Sequence, residues 1–137
     1  MSAASRALVT VILRTDLPAF VQAVFQTVAP GERYLPNWHM QAICHELGRC
    51  LTGDNTRLIV SLPPRAGKSI AVSVALVAWI LGHDPTAKII CISYSKELAA
   101  KHSRDCRAVM QSDWYKRSFP ATTLNPRKTT EDYFETT

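Results

Sequence analysis

No run of about twenty apolar residues occurs in this sequence, so nothing in it reads as a bilayer-spanning helix. "ALVTVIL" near the start is short and is closed by Arg14 and Asp16, which is no convincing targeting segment. "IAVSVALVAWILG" is long enough for a buried helix and too short to span. The chain is therefore expected to be cytoplasmic. There is also no Cys-x-x-Cys pair. His39 and His45 flank Cys44, but no further ligand stands at zinc-like spacing, so ordinary helix residues are expected there. Cys44, Cys50, Cys91 and Cys106 are expected to be buried free thiols in a reducing compartment. Internal repeats and low-complexity linkers are absent. Acidic residues are the minority charge, 11 against 16 Lys plus Arg, for a formal net charge of +5. Such a balance favours polyanionic partners such as nucleic acid, and it equally suits ordinary solubility.

What is present is enough for one domain. Its 137 residues, 47% of them apolar, can fill a single modest core. "TDLPAFVQAVFQTVAPG" has Leu17, Phe20, Val21, Val24, Phe25 and Val28 at helical spacing, with Asp16 to cap the start, Pro18 in the first turn and Pro30-Gly31 to stop it. "ERYLP" is a connector. "NWHMQAICHELGRCL" predicts a second helix capped by Asn37, with Met40, Ile43, Leu47 and Leu51 as its buried stripe. "TRLIVSL" then reads as a buried strand. The chain from Lys68 to Leu81 reads as a helix covered all round, and "AKIICISY" as a second buried strand. Ser95 can cap a further helix, "KELAAKHSRDCRAVMQ", while "SDWYKRSFP" and the tail through "TTEDYFETT" are less periodic.

Strand, loop, helix, strand, helix in that order predicts an α/β fold with parallel strands and a right-handed crossover. The whole chain, 1–137, reads as one domain: a helical segment over 1–54 with two N-terminal helices, and a core over 55–137.

Between the first predicted strand and the apolar helix lies "SLPPRAGKS", residues 61–69. A phosphate-binding loop aims consecutive backbone N–H groups at an anion at the positive end of a helix, adds a lysine for charge, and offers a hydroxyl to Mg²⁺. Gly67, Lys68 and Ser69 match those needs, with Ser69 as the metal-ligating residue. The start of the loop departs from the usual pattern. Leu62 stands five positions before Gly67 where a glycine is usual, and Pro63 and Pro64 carry no N–H. The donors must then be the amides of Arg65, Ala66, Gly67, Lys68 and Ser69. The prolines stiffen the entry. Arg65 can lie along the phosphates and stabilise charge developing in transfer, beside Lys68, or can simply face solvent or DNA.

"LPNWHMQAICHEL", "GDNTRLIVSLPPRAGKS" and "AWILGHDPTAKIICISYSKELAAKHSRDCRAVMQSDWYKRSFP" together resemble the start of the large terminase subunit of tailed bacteriophages. The P-P-R-x-G-K-S loop, the S-Y-S after the second strand and the S-x-W-Y…F-P segment carry the resemblance, over roughly residues 34–137. The resemblance implies a P-loop NTPase-like, three-layer fold that binds ATP and Mg²⁺. It implies a motor that drives double-stranded DNA into a procapsid, with portal and small terminase subunit as partners and a separate metal-dependent nuclease domain. It implies phosphate and Mg²⁺ contacts from Lys68 and Ser69, and an adenine-reading role for Gln41 with Trp38 nearby; the bland alternative for both is packing of an amphipathic helix. Lys96, Lys101, Arg104 and Arg107 make the next helix basic, which suits DNA and suits a solvated face.

One part is missing. Hydrolysis of this type uses an apolar strand ending in Asp, usually followed by Glu. "KIICISYS" carries no acid, Asp105 and Asp113 fall in or beside a helical pattern, and Glu131, Asp132 and Glu135 follow no apolar run. No acidic cluster for a two-metal nuclease is present either. The expectation is the N-terminal part of such an ATPase domain, incomplete in its sheet, feeble in turnover and prone to self-association through an open strand edge. A non-catalytic interaction fragment or prophage remnant, and another helicase-like P-loop DNA ATPase, are the competing expectations.

Overall fold

The computed structural model describes residues 1–130 and 133–137, so Glu131 and Asp132 lie outside the described residues. Six α-helices precede one small hairpin: α1 (Ala3–Thr15), α2 (Leu17–Val28), α3 (Trp38–Thr52), α4 (Leu76–His83), α5 (Lys96–Gln111), α6 (Asp113–Ser118), then β1 (Leu124–Thr129) and β2 (Phe134–Thr136). A π-helical turn, Ile70–Ala75, runs straight into α4.

Helical spacing decides what α2 and α3 bury. Leu17, Phe20, Val21 and Val24 of α2 face inward, as do Met40, Ile43, Cys44 and Leu47 of α3. Leu51, expected in the α3 stripe, is exposed in the last turn of that helix. Small residues of the π turn and α4, Ala71, Ala75 and Ala78, are fully buried and let this backbone approach α2 and α5 closely. Ser95 caps α5 as expected, accepting a hydrogen bond from the Leu98 N–H at 3.2 Å.

The aperiodic "SDWYKRSFP" segment turns out to be core. Ser112 caps α6, and Trp114, Tyr115 and Phe119 close around Phe20, whose ring meets Trp79 and Trp114 edge-on at 5.2 and 5.4 Å. The Tyr115 hydroxyl donates to Ala78 O at 2.7 Å, and the Trp114 indole N–H donates to Thr27 Oγ1 at 3.0 Å. Gly82 is required here, because a Cβ on it would stand 2.7 Å from the Phe119 ring.

Three helices precede the loop, not the two expected. The added one, α1, buries only Leu13 and leaves Leu8, Val11 and Ile12 exposed. Its end is tied to α4 by His83, whose ring nitrogens lie 2.9 Å from Trp79 O and 3.0 Å from Arg14 O. No single described helix is long and apolar enough to cross a membrane; α1 and α2 pass that test only as a pair bent by 106°.

The two expected strands differ most from expectation. Residues 57–62 and 88–94 are extended, but they form no ladder with each other or with any described strand. The only hydrogen-bonded sheet among the described residues is β1–β2, antiparallel, with Leu124 opposite Thr136 and Thr129 opposite Phe134. The physical reason is a missing neighbour. A strand is held when a neighbour takes its N–H and C=O groups, and no described segment lies in register beside these two. Residues 57–62 still alternate as a strand does, whereas in 88–94 the alternation breaks at Cys91, exposed between Ile90 and Ile92. Leu58, Val60, Leu62 and Ile89 pack on the helical core, while Ile59, Ile90 and Ile92 are between 88% and 95% exposed. The first run is covered on one face and bare on the other; in the second, Ile89 is covered and residues 90–92 are bare.

Candidate functional site

The loop at residues 61–69 joins the first extended run to the π turn. Pro63 and Pro64 are exposed and rigid in φ. After them the backbone turns twice into the left-handed region, at Arg65 (φ 62°) and at Gly67 (φ 77°). Arg65 is the only described non-glycine residue with positive φ, a conformation that costs an L-residue on the order of 1 kcal/mol or more and persists where its surroundings enforce it. Part of that enforcement is visible. Nε2 of His39, from α3, lies 3.3 Å from Ala66 O and pins the carbonyl between the two left-handed residues.

Gly67 is needed twice. Its φ favours glycine, and a Cβ there would stand 3.0 Å from Cε of Met40 beneath the loop. The first backbone hydrogen bond after the turn runs from the Ala71 N–H to Gly67 O at 3.0 Å. The amides upstream of Ala71 are therefore the unsatisfied donors of a helix start, where the peptide dipoles also concentrate positive potential. Lys68 is half-buried and Ser69 is exposed, and neither side chain is engaged by a described residue. The π turn directly behind the loop is a geometry that recurs at functional sites.

Beside the loop opens a cavity of about 310 Å³. It is lined by Arg65, Ala66 and Gly67 of the loop, by His39 and Met40 of α3, by Ile70, and by Glu32, Arg33, Tyr34 and Asn37 of the connector. Gln41 and Trp38 do not line it: Gln41 is exposed on α3, and Trp38 is 77% exposed to solvent. Lys68 and Ser69 lie outside it as well, so the loop's first three donor residues face the cavity and its last two begin the helix. Tyr34, read from sequence as mere connector, is the missed residue. It packs edge-on against Phe25 at 5.3 Å, and burial, with a smaller contribution from Cys44, raises its phenol above the ordinary range. The available signal was an aromatic two residues before Pro36, held beside a helix start.

The donor set fits a polyphosphate: loop amides in a tight turn, one ammonium and one hydroxyl. Among the described residues no three His, Cys, Asp or Glu side chains converge as a metal site, so Ser69 Oγ would be this chain's contribution to Mg²⁺ beside phosphate oxygens. A larger groove of about 900 Å³ lies away from the loop, between residues 87–91, α5 and β2. Ser103 Oγ, at its edge, is buried without a partner.

The cysteines divide. Cys44 and Cys106 are buried, Cys50 is half-buried, and Cys91, expected to be buried, is exposed on the bare extended run. Neither a family model, nor a curated protein, nor a solved structure matches the chain.

Proposed function

We propose that this chain binds the triphosphate of ATP with Mg²⁺, as the nucleotide-binding part of a DNA-packaging ATPase of the large-terminase type. The observation that carries the reading is the pair of left-handed residues, Arg65 and Gly67, at the foot of an apolar helix. Left-handed residues in close succession turn neighbouring amides toward one point, as anion sites do, and the strain at Arg65 is of the kind that clusters at ligand sites. In this reading the amides from Arg65 to Ser69 hold the phosphate oxygens. Lys68 balances the β- and γ-phosphate charge and Ser69 Oγ binds the metal. The exposed Arg65 guanidinium stabilises charge along the phosphates. Bound Mg²⁺ supplies neutralisation of phosphate charge.

The three-layer parallel fold belongs to the same proposal. Two extended runs, each with bare apolar side chains, are what such a sheet presents before its remaining strands and second helical layer are added. Double-stranded DNA would meet the basic face of α5, where Lys101 already pairs with Asp105 at 2.6 Å; portal and small terminase subunit are the protein partners of this reading. No apolar strand ending in Asp is in the chain, so turnover by this chain alone is negligible. The bare runs also favour a second reading, an interaction module that assembles through strand pairing without using nucleotide.

Calorimetric titration of Mg²⁺–ATP into wild type and Lys68→Ala separates the two. The nucleotide reading expects measurable binding and at least about a tenfold loss in the variant, the scale of a charge-assisted contact. Equal affinities, or no binding by wild type, would favour the interaction module.

A further inference from the structure

His83 stands where α1, α4 and the Phe119 ring meet, and its two ring contacts ask for more protons than a neutral imidazole carries. We infer that His83 is a proton-operated latch: as an imidazolium it ties the end of α1 to the end of α4, and as a neutral ring it releases one of them. The inference is independent of the nucleotide reading.

The geometry sets the protonation. Nδ1 lies 2.9 Å from Trp79 O and Nε2 lies 3.0 Å from Arg14 O. Both partners are carbonyl oxygens, which only accept. A neutral imidazole has one N–H, so it satisfies one contact and turns a lone pair on the other oxygen. The imidazolium has two and satisfies both. The ring is held in place by its neighbours: its centroid is 4.6 Å from that of Trp79 and 5.0 Å from that of Phe119, which it meets edge-on.

The surroundings suit a cation. Arg14 O is among the last four carbonyls of α1, which have no donor within that helix. His83 is itself the last residue of α4. Two helix C-terminal ends, each a concentration of negative potential, therefore converge on one ring. The charged groups along these elements are Arg14 on α1, Asp16 between α1 and α2, and Asp84 after α4. From beyond α6 comes the Phe119 ring, over which the Arg14 guanidinium sits at 6.0 Å. Thr86 donates to Asp84 through its hydroxyl and its N–H, at 2.6 and 2.9 Å, and holds that carboxyl below the usual range, so its charge is constant in the test below. No carboxylate among the described residues forms an ion pair with the ring, which leaves the helix ends as its counter-charge.

What the latch holds is α1. That helix buries only Leu13 and leaves Leu8, Val11 and Ile12 in solvent, so few side-chain contacts restrain it. An element held this lightly opens on its own, well before the whole fold does. Loss of one charge-assisted bond therefore shows in α1 first. An imidazole ordinarily changes charge near about pH 6.5. The second bond is present below that value and is lost as pH rises through it.

The test is amide hydrogen exchange, corrected for the intrinsic effect of pH, at about pH 5.5 and about pH 8, either side of the imidazole range. It compares wild type, His83→Phe and His83→Lys. In wild type the protection of α1 amides should fall about fivefold or more on going to the higher pH, while α5 amides keep theirs. His83→Phe keeps a ring for Trp79 and Phe119 but has no donor, so α1 should be weakly protected at both values. His83→Lys stays cationic with three donors, so α1 protection should not respond to pH. His39, His45 and His102 remain in both variants. A pH response that survives in His83→Phe would belong to one of them and would overturn the latch. Wild-type α1 protection that ignores pH would overturn it as well, and so would a parallel fall in α5, because the opening would then be global. Ring-nitrogen NMR of wild type decides the matter should a variant not fold. Two slowly exchanging ring N–H protons on His83 are expected at the lower pH; ring protons exchanging as fast as those of free imidazole would overturn the latch.

Discussion

The helical layer and the two extended runs are built from similarly apolar sequence and end in opposite conditions. Around Phe20 the core is closed: Val24, Val74, Val109 and Tyr115 have no exposed surface, and Trp79 and Trp114 are half-buried at its rim. Along residues 57–62 every second side chain is bare, and in 88–94 Ile90, Cys91 and Ile92 are bare in succession. The difference lies in what each element needs from its neighbours. A helix satisfies its own backbone and asks only for side-chain contacts, which five other helices supply. A strand must be satisfied by another strand, and an apolar strand must be covered on both faces. The helical layer can be completed by the described chain; the runs cannot.

The largest effect that sharpens this contrast is a cavity in the closed region. Phe20→Ala removes a fully buried ring from the centre of the aromatic cluster and should cost about 3–5 kcal/mol in a denaturant melt. A loss under about 1 kcal/mol would mean that the helical layer does not carry the fold.

Alkali gives an intermediate effect. Burial pushes the Cys44 thiol up to about 11 and the Cys106 thiol up to about 12, from an ordinary value near 9. An acid whose proton is held more tightly in the folded state stabilises fully below its unfolded value. That contribution is lost as pH rises, because the unfolded thiol ionises first. The denaturation midpoint should be flat up to about pH 9 and fall steadily between about 9 and 12. At pH 8 a thiol reagent should modify exposed Cys91 well before Cys106. A midpoint that does not move above pH 9, or Cys106 labelling as fast as Cys91, would erase the contrast.

The smallest effect is on the open side. Ile92→Lys replaces a side chain that is 90% exposed, so stability should change by no more than about 0.5 kcal/mol. Sedimentation should show weaker self-association, since a lysine on an unpaired run blocks edge pairing. A variant that melts several degrees lower would show that this face is covered after all.

Residues explain what could be read from the sequence. The faces of α2 and α3, the Ser95 cap and the turn at Gly67 were legible because spacing, a cap hydroxyl and a glycine are local signals. The helix α1 was not, because its apolar residues run together instead of marking one face, and the structure leaves most of them exposed. Trp114, Tyr115 and Phe119 carry no period, since they fill a hole shaped by α1, α2, α4 and α5. The hairpin was missed because "LNPRKT" has a proline and charges where a strand signal wants alternating β-branched residues. The pairing of residues 57–62 and 88–94 is not a local signal, and the structure holds neither run in a ladder. A strand's conformation is local, but its partner is not. Tyr34 was missed for the same reason: only the approach of the connector to the loop makes it part of a cavity.

Amide-resolved NMR of the chain during titration with Mg²⁺–ATP tests the central claim most directly. Convergence of the loop donors on phosphate predicts that the largest shifts fall on the amides of Arg65, Ala66, Gly67, Lys68 and Ser69, with those of α5 and the hairpin unmoved. Saturating nucleotide that leaves these five amides in place, or moves them no more than the rest of the chain, would contradict it.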